Sequence, residues 1–231
     1  MTALIRYHVS LLLRSHRWIP GAVIYVIGVI GLGGVGGRAT PHGAALAQGL
    51  SWGALMLVPT VAWLTRSVLT AESGAARSVV AAAGGPRRAQ LSALGAALSL
   101  GIIFGIIGIC WELITAGVDR DRLTNAVLLG PTFSDLGRGV GAALICLLVG
   151  SAIGALCNPP IITRPAASML TSTAAVVLGL VWSVSPANAA VRTGYGPASG
   201  SWPAGLPVIA AATLLVVAWG ISALVAARRG G

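Results

Sequence analysis

The sequence predicts an all-α integral membrane protein, with six transmembrane helices preceded by an amphipathic helix at the membrane interface. Three observations carry that prediction. Of the 231 residues, 56% are hydrophobic and only 9% are charged, whereas soluble domains carry about a quarter of their residues as charges. Apolar runs long enough to cross a bilayer recur six times, and Arg, Pro and Gly gather between them. Residues 1–17 are too polar to be a span but amphipathic on a helical wheel. So few charges cannot solvate the surface of a globule of this size.

Each element has its own signal. In residues 1–17, Arg6, Ser10, Arg14 and Arg17 share one face. Leu4, Tyr7, Leu11 and Trp18 line a second, and Ile5, Val9, Leu12 and Leu13 add another apolar strip. The apolar run that follows is long and GVGGRATPHG is a poor cleavage site, so this start reads as uncleaved. The six spans fall at about 18–35, 44–64, 91–116, 139–156, 166–184 and 207–227. Pro20 is tolerable in an opening turn, and Pro59 marks a kink. Gly101-x-x-x-Gly105 and Gly150-x-x-x-Gly154 offer surfaces for close helix contact. Leu123 to Leu129 reads as a short surface helix, and Ser185 to Leu206 as a Gly/Pro/Ser-rich loop with Trp202 near its end.

All 15 basic residues are Arg, and the net charge is +10. They lie between apolar runs with no dense basic block, which marks them as topogenic charges beside anionic lipid rather than a nucleic-acid surface. One side receives Arg6, Arg14, Arg17, Arg66, Arg77, Arg87, Arg88, Arg164, Arg228 and Arg229. The other receives Arg38, Arg120, Arg122, Arg138 and Arg192. The richer side is expected in the cytoplasm, with both termini, while Asp119, Asp121 and Asp135 face out.

Chemistry is sparse. Cys146 and Cys157 fall roughly 16 Å apart at helical rise, too far to bridge. Gly31 to Gly36 matches G-x-G-x-x-G, but no strand precedes it and no acid follows before Glu72, so a dinucleotide site is excluded. Asn158-Pro159-Pro160 is similar to the Asn-Pro signature of water channels; those use two copies, and a helix stop is the better account. His8, His16 and His42 all lie outside the apolar cores, and no span holds an acid pair, which disfavours catalysis in the membrane. Glu112, beside Trp111, is the one acid in a span, about 32 Å along the third. Its bland reading is an interfacial carboxylate reaching water, with Trp111 as an aromatic anchor. Its sharper reading is a gate or substrate contact at the outer mouth.

The stretch from Arg66 to Gln90 is the largest piece that must stand in water on the Arg-rich side. It holds Glu72, an Ala-rich run able to form a short helix, the stop signal Gly84-Gly85-Pro86, and the basic pair Arg87 and Arg88. A mere connection needs only a few turn residues; this length reads as a docking elbow.

Together these features resemble the ABC-2 type permease family, the membrane subunits of ABC exporters. The resemblance covers the whole chain as architecture and is closest over Ala71-Glu72-Ser73-Gly74-Ala75-Ala76 and Gly84-Gly85-Pro86-Arg87-Arg88-Ala89-Gln90-Leu91. The opening Leu12-Leu13-Arg14-Ser15-His16-Arg17-Trp18-Ile19-Pro20 is similar to actinobacterial permeases of this group. It implies a multi-pass protein of a bacterial plasma membrane that pairs with a second permease chain. A separate ATPase would dock through Glu72, Ser73, Gly74, Arg77, Gly84, Gly85, Pro86, Arg87 and Arg88. This chain has no P-loop lysine, so ATP would be bound by that partner and no cofactor by the chain itself. With so few ionisable groups in the spans, the expected cargo is apolar or amphipathic (a drug, antibiotic, lipid-like molecule or modified peptide), and export is the expected direction. The rival readings are a secondary transporter or channel working through Glu112, and a non-transporting assembly or immunity protein.

Overall fold

The computed structural model describes residues 1–36, 44–72, 74–122, 133–193 and 205–229. Side chains are described except at 32–36, 44–47, 74, 116–122, 133–135 and 193. Arg38, His42, Ser73, Trp202 and the helix expected at Leu123 to Leu129 lie outside these residues, as do the side chains of Asp119, Asp121 and Asp135.

Among the described residues there are helices and no strands. They are α1 (Thr2–Ser15), α2 (Ile19–Gly36), α3 (Ala44–Ala71), α4 (Gly74–Gly84), α5 (Pro86–Arg122), α6 (Phe133–Leu156), α7 (Pro165–Val181), α8 (Pro186–Thr193) and α9 (Gly205–Arg229). Four of them are long and apolar enough to cross a membrane: α3, α5, α6 and α9. A fifth span is made if α7 and α8, bent by 45° at their junction, are taken as one. The apolar part of α2 among the described residues, Ile19–Gly31, is shorter.

Helix α3 is the centre of the bundle, and glycines set how closely its neighbours approach. A Cβ at Gly150 of α6 would stand 2.7 Å from the Val58 carbonyl oxygen, and one at Gly154 only 2.5 Å from Thr65 Cβ. On the other flank, a Cβ at Gly101 of α5 would meet Val61 Cγ2 at 2.8 Å. The two small-x-x-x-small surfaces therefore both face α3, where close approach maximises dispersion contact. Leu57, Val58, Val61, Ile145 and Cys146 fill the resulting core and are fully buried or nearly so. Pro59 sits inside α3 without ending it. The three thiols are free.

The outward surface is apolar. Ile27 is 66% exposed and Val216 70%, and Ile24, Ile103, Ile106, Leu178 and Val181 stand out beside them. Water-soluble monomers rarely expose contiguous apolar surface on that scale; a bilayer is the solvent that suits it.

Two expectations change. Ser185 to Leu206 reads as a loop in the sequence, yet its first part is α8, which leans into the bundle at 45° to α7 and buries Ala187, Ala190 and Val191. Pro186 supplies a ready first turn, and the Ala residues permit close packing, so the small-residue composition that looks like a loop builds a short buried helix. The polar stretch expected from Gly117 instead continues α5 to Arg122.

Candidate functional site

The elbow is built from ordinary helix-end chemistry. Helix α3 runs on to Ala71, the chain bends at Glu72, and α4 begins at Gly74. Gly85 has φ +83° and donates its N–H to the Ala81 carbonyl at 2.8 Å, a left-handed stop that favours glycine. Pro86 then takes the first position of α5, where a missing N–H costs nothing. The elbow therefore passes through one residue into the 37-residue α5. The Arg77 guanidinium donates to the Leu69 carbonyl and ties α4 back to the end of α3. Ala75, Ser78, Val79, Ala82, Ala83, Arg87 and Arg88 form its exposed face, with Val79 68% exposed.

Glu72 is not on that face. Its side chain is 6% exposed and turns inward, with Oε1 3.5 Å from Nδ1 of His8. The Ser92 hydroxyl spends its proton on the Ala89 carbonyl at 2.8 Å. Nε2 of His8 is consequently the donor in its 3.1 Å bond to Ser92 Oγ. Burial holds the His8 imidazole below its ordinary value of 6.5; the Glu72 carboxylate works against that shift and Arg77 works with it. His8 thus joins α1, the elbow and α5. Its signal was present in the sequence, because His8 lies three residues from Ile5 and four from Leu12, in register with the apolar strip.

Further polar contacts gather at the same end of the bundle. Arg17 donates to the Thr70 carbonyl at 2.6 Å, and Gln90 of α5 donates to Ser222 of α9 at 2.9 Å. Arg66 donates to Ser168 at 2.7 Å, and Ser168 donates to the buried Asn158 at 2.7 Å. Asn158 in turn caps α6 through the Gly154 carbonyl at 2.7 Å, which gives the Asn-Pro-Pro stretch a structural role at a helix end. Arg229 reaches the Pro160 carbonyl. The described basic residues of the Arg-rich set are therefore carried by elements that meet at one end.

The other candidate stands toward the opposite end. Glu112 is 7% exposed while its neighbour Trp111 is 41% exposed. The bland reading of Glu112 as a carboxylate reaching water or headgroups is thereby corrected: Trp111 faces outward and Glu112 faces the bundle. The turn of helix between them explains this, since adjacent residues point about 100° apart. Gly49 makes room for the carboxylate, because a Cβ there would lie 2.9 Å from Glu112 Cδ. Tyr25, Gly53, Gly105, Gly108 and Glu112 share the wall of one cavity of about 10 Å³.

Comparison of the chain with protein-family models, curated proteins and solved structures finds no match. What the two sites can do rests on their own geometry. Among the described residues no three His, Cys, Asp or Glu side chains converge as metal ligands. The elbow offers a firm, exposed face continuous with a long helix. The Glu112 cavity offers a single carboxylate within the apolar body.

Proposed function

We propose that this chain is the membrane-embedded permease subunit of an ATP-driven exporter of the ABC-2 type. It has six spans, both termini are in the cytoplasm, and its cargo is apolar or amphipathic. The observation that carries the reading is the elbow itself: α4 is closed by Gly85 and Pro86 and feeds directly into α5. A helix pushed at one end moves as a body, so a force on α4 reaches the apolar core along α5. The docking face is Val79, Ala82, Ala83, Arg87 and Arg88. Arg77 ties the elbow to α3 from within, and Glu72 packs against His8 of α1. Two permease chains would pair across their exposed apolar faces, and ATP-driven closure of the motor subunits would tilt α3 and α5 and open the path between them.

The test is to purify the tagged chain from its native membrane and identify co-purifying chains that carry a P-loop. A P-loop ATPase is expected with the unaltered chain and is lost on the double change Arg87→Glu, Arg88→Glu, with the helical content unchanged. Transport by the chain alone, without ATP, overturns the reading, as does an intact working assembly after removal of residues 75–83.

One observation favours the second reading, a secondary transporter. Glu112 is a buried carboxylate in a span, the type of group that ion-coupled carriers use. ATP-independent uptake or efflux in vesicles holding only this chain decides for it.

A further inference from the structure

Three features lie away from the proposed docking face: the Arg66–Asn158–Ser168 cluster, the His8–Glu72 contact and the Glu112 cavity. The first has its polar groups satisfied within the chain, and the second belongs to the elbow already described. The third is left with an acceptor that the fold does not satisfy. Oε1 of Glu112 has no hydrogen-bond partner among the described residues although it is buried. The described residues around it bring no counter-charge. From α2 comes the Tyr25 side chain, 2% exposed and edge-on to Phe104 with ring centroids 5.5 Å apart. From α3 the facing residues are Gly49 and Gly53, and from α6 Ala143, none of them ionisable. Among the described residues no ion pair to Glu112 forms.

The size of the cavity limits what can serve instead. About 10 Å³ is room for roughly one water molecule, far less than an organic cation needs. A bare metal cation is poorly served as well, since it wants about six oxygens and the wall offers one carboxyl group and one phenol. A proton, delivered by a single water, fits both the volume and the charge. The route is short, because the sequence of α5 turns charged again at Asp119, about two helical turns beyond Glu112.

We propose that Glu112, with Tyr25 beside it, is an intramembrane proton-binding site opening toward the α5 end that carries Trp111. The carboxylate takes H⁺ from a water in the cavity and returns it by the same route; no bond to carbon changes. The neutral acid lets the outer halves of α3 and α5 close at Gly49, and the ionised form draws water between them. The proposal stands apart from the exporter reading, for an ATPase-linked permease and a carrier can both hold such a site.

The test uses the intact chain in lipid nanodiscs and dicyclohexylcarbodiimide, an apolar reagent that acts on a carboxyl carrying its proton. The acid O–H adds across the carbodiimide, and an acyl shift from oxygen to nitrogen leaves a stable N-acylurea with no atom lost. Peptide mass spectrometry is expected to place the adduct on Glu112, with a yield that falls about tenfold per pH unit once the proton is lost. Glu112→Gln is expected to remove it. A yield indifferent to pH overturns the proposal. So does the absence, between about pH 5 and about pH 9, of a pH-dependent carboxylic-acid C=O infrared band that Glu112→Gln removes. The infrared reading needs no reagent to enter a cavity of one water. The mapping reads the unaltered chain, so it holds even if the variant misfolds. It also involves no ATPase, so failure here leaves the exporter reading untouched, and the reverse.

Discussion

Gly150 and Gly154 show how single residues decide the packing. The atom nearest a Cβ at Gly150 is backbone, the Val58 carbonyl oxygen, which cannot swing aside as a side chain does. Gly150→Val and Gly154→Leu are therefore expected to destabilise the bundle by about 1–3 kcal/mol through overpacking. Gly220 of α9 has open space around its Cβ position, and Gly220→Ala is expected to leave the bundle as stable or to stabilise it by up to about 1 kcal/mol. Unfolding in mixed detergent, followed by circular dichroism, compares the three; equal effects would show that α6 does not meet α3 at these glycines. The spacing of the glycine pairs made those surfaces legible in the sequence. The direction of Glu112 was not legible, for a stated reason: α5 is apolar nearly all round, so spacing places a residue along the axis but does not say which azimuth its neighbours cover. Glu72 failed for a related reason. Acids in connections are usually solvated, so its position reads as a surface charge, and the partner that covers it, His8, lies 64 positions earlier in the chain.

At the scale of elements, α1 is held to α5 and the elbow through one titratable contact. The direction of its pH dependence follows from the shift. A His8 released from the bundle titrates near 6.5, while burial holds the docked imidazole lower. Between those two values the released state binds more protons, so docking of α1 weakens as pH falls through that window and is fully present above it. The docking equilibrium changes by at most about tenfold per pH unit, because one proton is involved. Hydrogen exchange of the α1 amides, corrected for the intrinsic rate, is expected to quicken between about pH 7 and about pH 5.5. His8→Gln, whose amide still donates to Ser92, is expected to abolish that response. Slower exchange in acid would mean that the Glu72 carboxylate outweighs burial and that protonation fastens the contact. Most helices were legible at this scale from apolar runs and Pro or Gly punctuation. Helix α8 was hidden because its eight residues, though amphipathic, are mostly small and span barely two turns, too short a stretch to distinguish a buried helix from a loop.

At the scale of the whole molecule, the governing feature is the unequal division of Arg. Contacts among α1, the ends of α3 and α9, α4, the start of α5 and the α6–α7 connection bring one set of Arg residues to a single end. An excess of basic residues near span ends is generally retained on the cytoplasmic side during insertion; on the proposed topology α4 then comes within reach of a cytoplasmic ATPase. Val79 and Arg192 are both exposed, and the proposed topology puts them on opposite sides of the membrane. In a chain whose three Cys are replaced by Ser or Ala, a single Cys is introduced at one position or the other. A membrane-impermeant maleimide added to intact cells is expected to label Arg192→Cys, and to label Val79→Cys only after the membrane is opened. The reverse pattern would turn the molecule over in the membrane. The elbow would then face away from every source of ATP, and the exporter reading would fall with the topology, whereas the Glu112 site would remain, opening to the other compartment.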